Sequence, residues 1–106
     1  MKKSLYKLVI YVPQTHLEQV RIAACGAGAG KIGKYDNCAF MTSGIGAYRP
    51  LKGAKPYKGR INRLVRIGEA RLEVTVQKDK LNKVMAAIRK VHPYEEMACD
   101  IYKLES

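Results

Sequence analysis

Tryptophan is absent from this 106-residue sequence, phenylalanine occurs once, and nine acidic residues stand against twenty Lys and Arg. The three cysteines are an odd number and cannot form a closed disulfide framework, and no pair has the spacing Cys-x-x-Cys. No run of about 20 apolar residues exists, so we predict no transmembrane helix. The length allows one domain and excludes a multidomain enzyme, a TIM barrel and a full dinucleotide-binding fold.

The compartment is predicted from the N-terminal segment and the thiols. Two lysines precede an apolar run at residues 8–12 that is too short for a signal peptide and lacks a cleavage site. Free thiols suit a reducing compartment. At 47% hydrophobic residues the chain is too apolar for a disordered basic tail. We expect one cytoplasmic domain, residues 1–106.

Hydropathy patterning predicts four strands and two helices in the order β-α-β-β-α-β. The strands are expected at residues 5–12, 37–43, 64–76 and 97–104, with a bulge at Gly68. Thr15 and Glu18 form a Thr-x-x-Glu capping box for the first helix, and Asp79 is placed to cap the second. The second helix has one apolar face, formed by Leu81, Val84, Met85, Ile88 and Val91.

This order predicts an α+β, ferredoxin-like βαββαβ fold, in which two helices cover one face of a four-stranded antiparallel sheet. The first strand is largely apolar on both sides. The side of this strand that the helices do not cover, together with neighbouring residues on strands 2 and 3, would be exposed in a monomer. We therefore expect an oligomer in which that face is buried.

Residues 44–60 contain four glycines and two prolines without periodicity, and they predict a long loop or an open hairpin. Seven basic residues and no acid lie between Arg49 and Arg66. Basic side chains interleaved with aromatics are typical of sites that hold phosphates or bases. Nucleic acid is disfavoured because no known binding signature accompanies the charge, and a merely solvated loop is an alternative. The candidate ligand-binding residues are Tyr48, Arg49, Lys52, Tyr57, Lys58 and Arg60.

The sequence His92-Pro93-Tyr94-Glu95-Glu96 follows the second predicted helix. An imidazole and two carboxylates so close together could bind a divalent metal through His92, Glu95 and Glu96. The alternative is a helix end, because His favours a helix C-terminus and Pro terminates the helix.

Two further patterns have structural explanations. Gly28-x-Gly30-x-x-Gly33 matches the dinucleotide fingerprint, but it closes a helix instead of opening one, which predicts turn glycines. The cysteines at 25, 38 and 99 are expected to act as small hydrophobic residues, with a structural metal as the alternative. No hydrolase or metalloprotease motif is present, and no catalytic triad can be assembled.

Several blocks together resemble a known family. They are residues 7–13, residues 26–33 followed by 35–40, residues 48–51, Pro56-Tyr57, and residues 92–96 leading to Tyr102. The set resembles the CutA/PII-like domain inserted in YqfO-type members of the Nif-three-like family, over almost the whole chain. The His92-Pro-Tyr-Glu95 block is also similar to the HPYE motif of CutA.

The resemblance implies a ferredoxin-like trimer. In PII proteins the loop between strands 2 and 3 contacts partners, and nucleotides bind in clefts between subunits. Residues 44–60 occupy the corresponding place. The dinuclear metal site of the full-length proteins is not implied, because this chain has only His16 and His92 and lacks the flanking halves.

The function predicted from the sequence is therefore a non-enzymatic binding or regulatory module, in the form of a free-standing version of that domain. Its basic loop would receive a small anionic ligand or an acidic protein partner. The alternative is a CutA-like divalent-metal protein, and apart from such a metal no cofactor is predicted.

Overall fold

A computed structural model describes residues 4–105 and shows the expected order of elements; residues 1–3 and 106 of the predicted domain lie outside the described part. The strands are β1 (Leu5–Pro13), β2 (Phe40–Tyr48), β3 (Val65–Gln77) and β4 (Cys99–Leu104). The helices are α1 (Leu17–Gly26) and α2 (Leu81–Val91), each preceded by a short 3-10 turn.

The four strands form one antiparallel sheet in the order β2-β3-β1-β4. At its centre Leu8 of β1 lies opposite Val74 of β3 and Ile101 of β4. The β-branched and aromatic residues of β1 and the alternation in β3 favour this arrangement. The ferredoxin-like prediction is confirmed.

The core lies between one face of the sheet and the two helices. Every second residue of β3 from Ala70 to Val76 is buried, as the alternating pattern predicts. In α2 the buried residues Val84, Met85 and Ile88 are members of the predicted apolar face. Burial of such side chains stabilises the fold by about 1.5–3 kcal/mol each.

Both predicted helix caps are wrong. Residues Gln14–His16 form a 3-10 turn, so α1 begins at Leu17 without a side-chain cap hydrogen bond. Glu18 instead binds the guanidinium of Arg21, at 2.9 Å for the shortest contact. The N-cap of α2 is Lys80, because Asp79 lies within the second 3-10 turn.

The predicted limits of the second strand are also wrong, and residues 44–60 follow the open-hairpin alternative, since β2 pairs with β3 up to Tyr48. β2 begins at Phe40 and continues to Tyr48, so residues 44–48 belong to the sheet instead of the loop. Gly68 pairs with Ile45 in an uninterrupted register, and the proposed bulge is absent from this hairpin. Glycine is compatible with an extended strand as well as with a loop, so the glycines at 44 and 46 did not mark the end of the strand.

The glycine-rich segment after α1 is a turn, as predicted. Gly28, Gly30 and Gly33 all have positive φ. Gly30 also donates a 2.7 Å backbone hydrogen bond to Thr75, and a Cβ at position 30 would lie 2.7 Å from the carbonyl oxygen of Cys38. Only glycine fits this close approach of the turn to the backbone of Cys38.

The sheet face opposite the helices is more polar than predicted. Glu73 accepts from Arg71 at 2.8 Å and lies 3.5 Å from the ammonium of Lys7. Arg71 also donates to the hydroxyl of Tyr11 at 3.2 Å. Val9 is buried among these groups. The expectation of an apolar second face is therefore wrong for its centre, because β3 supplies alternating charged residues there.

Within residues 4–105, no helix is long and apolar enough to cross a membrane.

Candidate functional site

A cavity of about 440 Å³ lies between the loop that follows β2 and the segment that follows α2. We call it the loop cavity. Its aromatic and charged lining consists of Tyr48, Arg49, Tyr57, Glu69, Tyr94, Glu95 and Glu96. The volume is within the range of small-molecule sites.

Three tyrosine rings are clustered in this lining. The centroid of the Tyr94 ring lies 5.9 Å from that of Tyr48 and 6.1 Å from that of Tyr57. Tyr57 also meets the ring of His16 edge-on at 5.6 Å. These separations are typical of favourable aromatic pairs. The contacts hold the loop from β2 to β3 against the segment after α2.

Tyr94 and Glu69 form a hydrogen-bonded pair at the cavity. The Tyr94 hydroxyl donates to Oε2 of Glu69 at 2.7 Å. Burial raises the pKa of Tyr94 well above its ordinary value, and the adjacent Glu69 carboxylate raises it further. Tyr94 therefore remains a neutral donor at physiological pH.

Gly46 makes room for the Glu69 carboxylate. A Cβ built at position 46 would overlap Oε1 and the carboxyl carbon of Glu69. At Gly44, in contrast, a Cβ would lie an ordinary 3.9 Å from the Glu69 carbonyl oxygen. The absence of a side chain at position 46 thus permits the observed position of Glu69.

The other two carboxylates differ in their contacts. Oε1 of Glu95 accepts a 2.7 Å hydrogen bond from the backbone amide of Lys55, which ties the loop to the segment after α2. Glu96 is exposed and has no hydrogen-bond or ion-pair partner within residues 4–105.

The structure separates the six predicted ligand residues into two groups. Tyr48, Arg49 and Tyr57 line the loop cavity, whereas Lys52, Lys58 and Arg60 do not. The Tyr48 hydroxyl donates to the backbone carbonyl of Lys58 at 2.8 Å, which fixes one turn of the loop. The side chains at 52, 58 and 60 are exposed outside the cavity.

The cavity contains acidic residues that the loop prediction did not include. Among residues 4–105, Arg49 is the one basic residue on its lining, against carboxylates at 69, 95 and 96. Glu69 lies on β3 and the other two follow α2, so they are distant from the loop in sequence. Pairing of β2 with β3 was the signal that could have placed Glu69 near the loop, because it sets Glu69 opposite Gly44.

His92 lies at the end of α2 and is 8% exposed. Its Nε2 is 2.8 Å from the Tyr11 carbonyl oxygen, and its Nδ1 accepts from the Tyr94 amide at 3.2 Å. These contacts require a neutral ring with the proton on Nε2. Burial lowers the pKa of His92, although the Tyr11 carbonyl and Glu69 oppose that shift.

The three predicted metal ligands line one cavity of about 430 Å³ at the end of α2, but they are not arranged as a metal site. Both ring nitrogens of His92 already have backbone partners. The carboxylate of Glu95 accepts from Lys55, as described above. Within residues 4–105, no group of three or more His, Cys, Asp or Glu side chains is arranged to hold a metal ion. In this geometry His92 joins α2 to β1.

The three cysteines are free and partly buried. Burial raises the pKa of the thiols of Cys25 and Cys99. Both are therefore protonated at neutral pH, as expected of small hydrophobic residues.

Sequence comparison finds close relatives that are much longer than this chain. No family model matches the sequence. A Bacillus subtilis protein named "GTP cyclohydrolase 1 type 2 homolog" is 50% identical over 101 residues, which are 95% of this chain and 27% of that protein. A Mycobacterium tuberculosis protein of the same name is 43% identical over 100 residues. The chain thus spans about a quarter of the length of these relatives.

Structural comparison gives the same result for the fold. A Bacillus cereus protein related to NIF3 superposes with a TM-score of 0.85 and 38% identity, over 98% of this chain and 26% of that one. CutA from Synechococcus elongatus gives a TM-score of 0.69 at 19% identity, over 97% of this chain and 79% of that one.

A third solved structure extends the comparison to PII proteins. The Bacillus subtilis GlnK–ATP complex gives a TM-score of 0.65 at 11% identity, over 98% of this chain and 84% of that one. The resemblance that the sequence motifs suggested is confirmed. This chain has the CutA/PII-like fold, and its sequence corresponds to a segment of longer NIF3-related proteins.

Proposed function

We propose that this chain is a non-enzymatic regulatory module that binds a small ligand in the loop cavity and assembles as a homotrimer in the cytoplasm. The observation that carries the proposal is the loop cavity, where three tyrosines and four charged side chains converge from the β2–β3 loop, β3 and the segment after α2. Convergent polar groups in a cavity of this size are typical of a binding site.

Proteins of this fold support a binding role. CutA from Synechococcus elongatus is described as a complex with Bis-Tris, and GlnK from Bacillus subtilis as a complex with ATP. Both likenesses are below 25% identity, so they support the fold and leave the ligand of this chain open. The longer relatives are named after an enzyme, but this chain matches only about a quarter of their length. Their name therefore does not define the role of this segment.

Arg49 is the residue at which an anionic group of the ligand would be held, because it is the one guanidinium on the cavity lining. The exposed basic side chains of Lys52, Lys58 and Arg60 lie outside the cavity. They would attract an acidic protein partner to the outer surface of the loop. A ligand in the cavity and a partner on the loop would thus meet through the same segment, which is a physical basis for regulation.

The trimer rests on exposed apolar side chains of the edge strand. Phe40 and Ile45 of β2 are 64% and 77% exposed in the single chain. An edge strand that carries such side chains favours association. The solved CutA and GlnK structures share this fold over nearly all of the chain, in agreement with the sequence resemblance that implies a trimer.

Binding of a divalent metal is the second candidate function. It would require His92 to give up a backbone hydrogen bond and Glu95 to rearrange. The present geometry favours the loop cavity as the site.

Calorimetric titration with nucleotides, phosphate metabolites and polyphosphate tests the anionic part of the proposal. We expect saturable binding that Arg49→Gln weakens, while Arg63→Gln leaves it unchanged, because Arg63 is a loop cation outside the cavity lining. Equal loss in both variants would indicate a diffuse charge effect. The same experiment with DNA should show only steeply salt-dependent, non-specific association.

A further inference from the structure

The loop cavity has a charge opposite to that of the chain. Three carboxylates and one guanidinium line it, which gives a formal charge of −2, whereas the whole chain has +11. The basic residues of the loop are thus mostly outside the cavity, and the acidic residues that reach it come from β3 and from the segment after α2.

Tyrosine rings are present on the same lining. Tyr48 and Tyr57 both lie about 6 Å from the Tyr94 ring. The faces of such rings carry negative electrostatic potential and attract organic cations within about 6 Å of the ring centre. Tyr94 adds no negative charge of its own, because its raised pKa keeps the phenol protonated.

The carboxylates on the lining can accept further hydrogen bonds. The hydrogen bond from Tyr94 uses Oε2 of Glu69, and the one from Lys55 uses Oε1 of Glu95. Neither bond involves the second oxygen of its carboxylate. Glu96 has no partner within residues 4–105. A positively charged donor in the cavity would therefore meet carboxylate oxygens beside aromatic rings.

From this juxtaposition we infer that the ligand of the loop cavity is a small molecule with an organic cation, an ammonium or guanidinium group, held between the tyrosine rings and the carboxylates. The inference rests on the proposed function of the cavity and adds the chemical class of its ligand. Arg49 at the same lining would take an anionic group of the same molecule. The three carboxylates repel a purely anionic ligand, so such a ligand should bind more weakly than one that also carries an organic cation.

Calorimetry with four probes tests the inference: agmatine, choline, 3,3-dimethylbutan-1-ol and inorganic phosphate. Agmatine carries a guanidinium and an ammonium group, and choline carries a quaternary ammonium group. 3,3-Dimethylbutan-1-ol is the neutral isostere of choline, with a carbon atom in place of the charged nitrogen. We expect saturable binding of at least one of the two cations, and weaker binding of the neutral isostere than of that cation.

Matched variants then locate the cation. Tyr57→Leu should weaken cation binding about 10-fold, whereas Tyr57→Phe keeps the ring and should retain affinity. Glu96→Gln should weaken it and reduce its dependence on salt. Asp100→Asn is the control, since Asp100 is an exposed carboxylate on β4 that is not part of the lining. Tyr57 and Glu96 are both exposed, so these variants should fold.

The outcomes separate the two proposals. If phosphate or nucleotides bind in an Arg49-dependent way while both cations fail, the inference is overturned and the proposed function stands. If cations bind equally well to Tyr57→Leu and Glu96→Gln, they bind elsewhere and the inference is also overturned. If neither cations nor anions bind, the proposed ligand site itself fails.

Discussion

The phenol of Tyr94 and the carboxylate of Glu69 join two distant parts of the chain through a 2.7 Å hydrogen bond. Tyr94 follows α2, and Glu69 lies on β3 where a glycine of β2 leaves space for it. The bond fixes one wall of the loop cavity.

Tyr94→Phe removes the donor and leaves the ring in place. We expect the free energy of unfolding to fall by about 1 kcal/mol, because Glu69 loses a hydrogen bond in a partly buried setting. Chemical denaturation measures the change. Tyr57→Phe is the control, since the Tyr57 hydroxyl has no hydrogen-bond partner within residues 4–105. Equal stability of the two variants would show that the Tyr94–Glu69 bond contributes nothing.

Gly46→Ala should displace the Glu69 carboxylate, because the added Cβ overlaps it. We expect a loss of stability and a change in the Tyr94 ring signals in NMR spectra. Gly44→Ala on the same strand should be neutral or slightly stabilising, since its Cβ has an ordinary contact and alanine reduces the entropy of the unfolded chain. If Gly46→Ala has the same stability and the same Tyr94 signals as Gly44→Ala, the position of the Glu69 carboxylate does not depend on the glycine at 46.

The lowered pKa of His92 predicts that the free energy of unfolding depends on pH. Its pKa in the folded protein lies below the ordinary value of 6.5, so the unfolded state takes up the proton more readily. The contribution is therefore fully present above about pH 6.5 and is lost as the pH falls through the folded pKa. The free energy of unfolding should decrease from pH 7 to pH 5. In His92→Gln this part of the slope should disappear, whereas His16→Gln should retain most of it, because burial is the main cause of the lowered His92 pKa.

The same variant tests the metal alternative. Both nitrogens of His92 have backbone partners, so His92→Gln should not change the uptake of Cu²⁺ or Zn²⁺. Calorimetric titration measures this. A marked loss of stoichiometric uptake in the variant would restore the site formed by His92, Glu95 and Glu96.

Assembly is tested through the apolar side chains of β2. Light scattering should give about 36 kDa, three times the chain mass of 11.9 kDa. Phe40→Lys and Ile45→Lys should lower the mass, since both side chains are exposed in the single chain. Ile22→Lys on α1 is the matched control and should remain a trimer. A stable monomer of the unmodified chain would contradict the proposed assembly.

Local patterns predicted the fold well. The alternation in β3 and the apolar face of α2 each determine which side chains are buried, and both are read over a few residues. The helix caps failed because 3-10 turns at Gln14–His16 and Lys78–Lys80 move both helix starts. Capping motifs specify a hydrogen bond that a competing partner can take, as Arg21 does with Glu18.

Only part of the lining of the loop cavity could be predicted from the sequence. Tyr48, Arg49 and Tyr57 are near one another along the chain, so the local composition of the loop indicates them. Glu69 reaches the cavity through strand pairing, and Tyr94 through the segment after α2. Such long-range contacts depend on tertiary structure, so the net charge of the loop alone does not predict the charge of the cavity lining.

The most direct test of the central claim, that the loop cavity binds the ligand, is NMR of the protein with ¹³C-labelled tyrosine rings during ligand titration. The account predicts saturable shifts for Tyr48, Tyr57 and Tyr94, with Tyr35 and Tyr102 unchanged as exposed rings outside the lining. Shifts confined to Tyr35 or Tyr102, or no shift with any of the anionic and cationic probes, would contradict it.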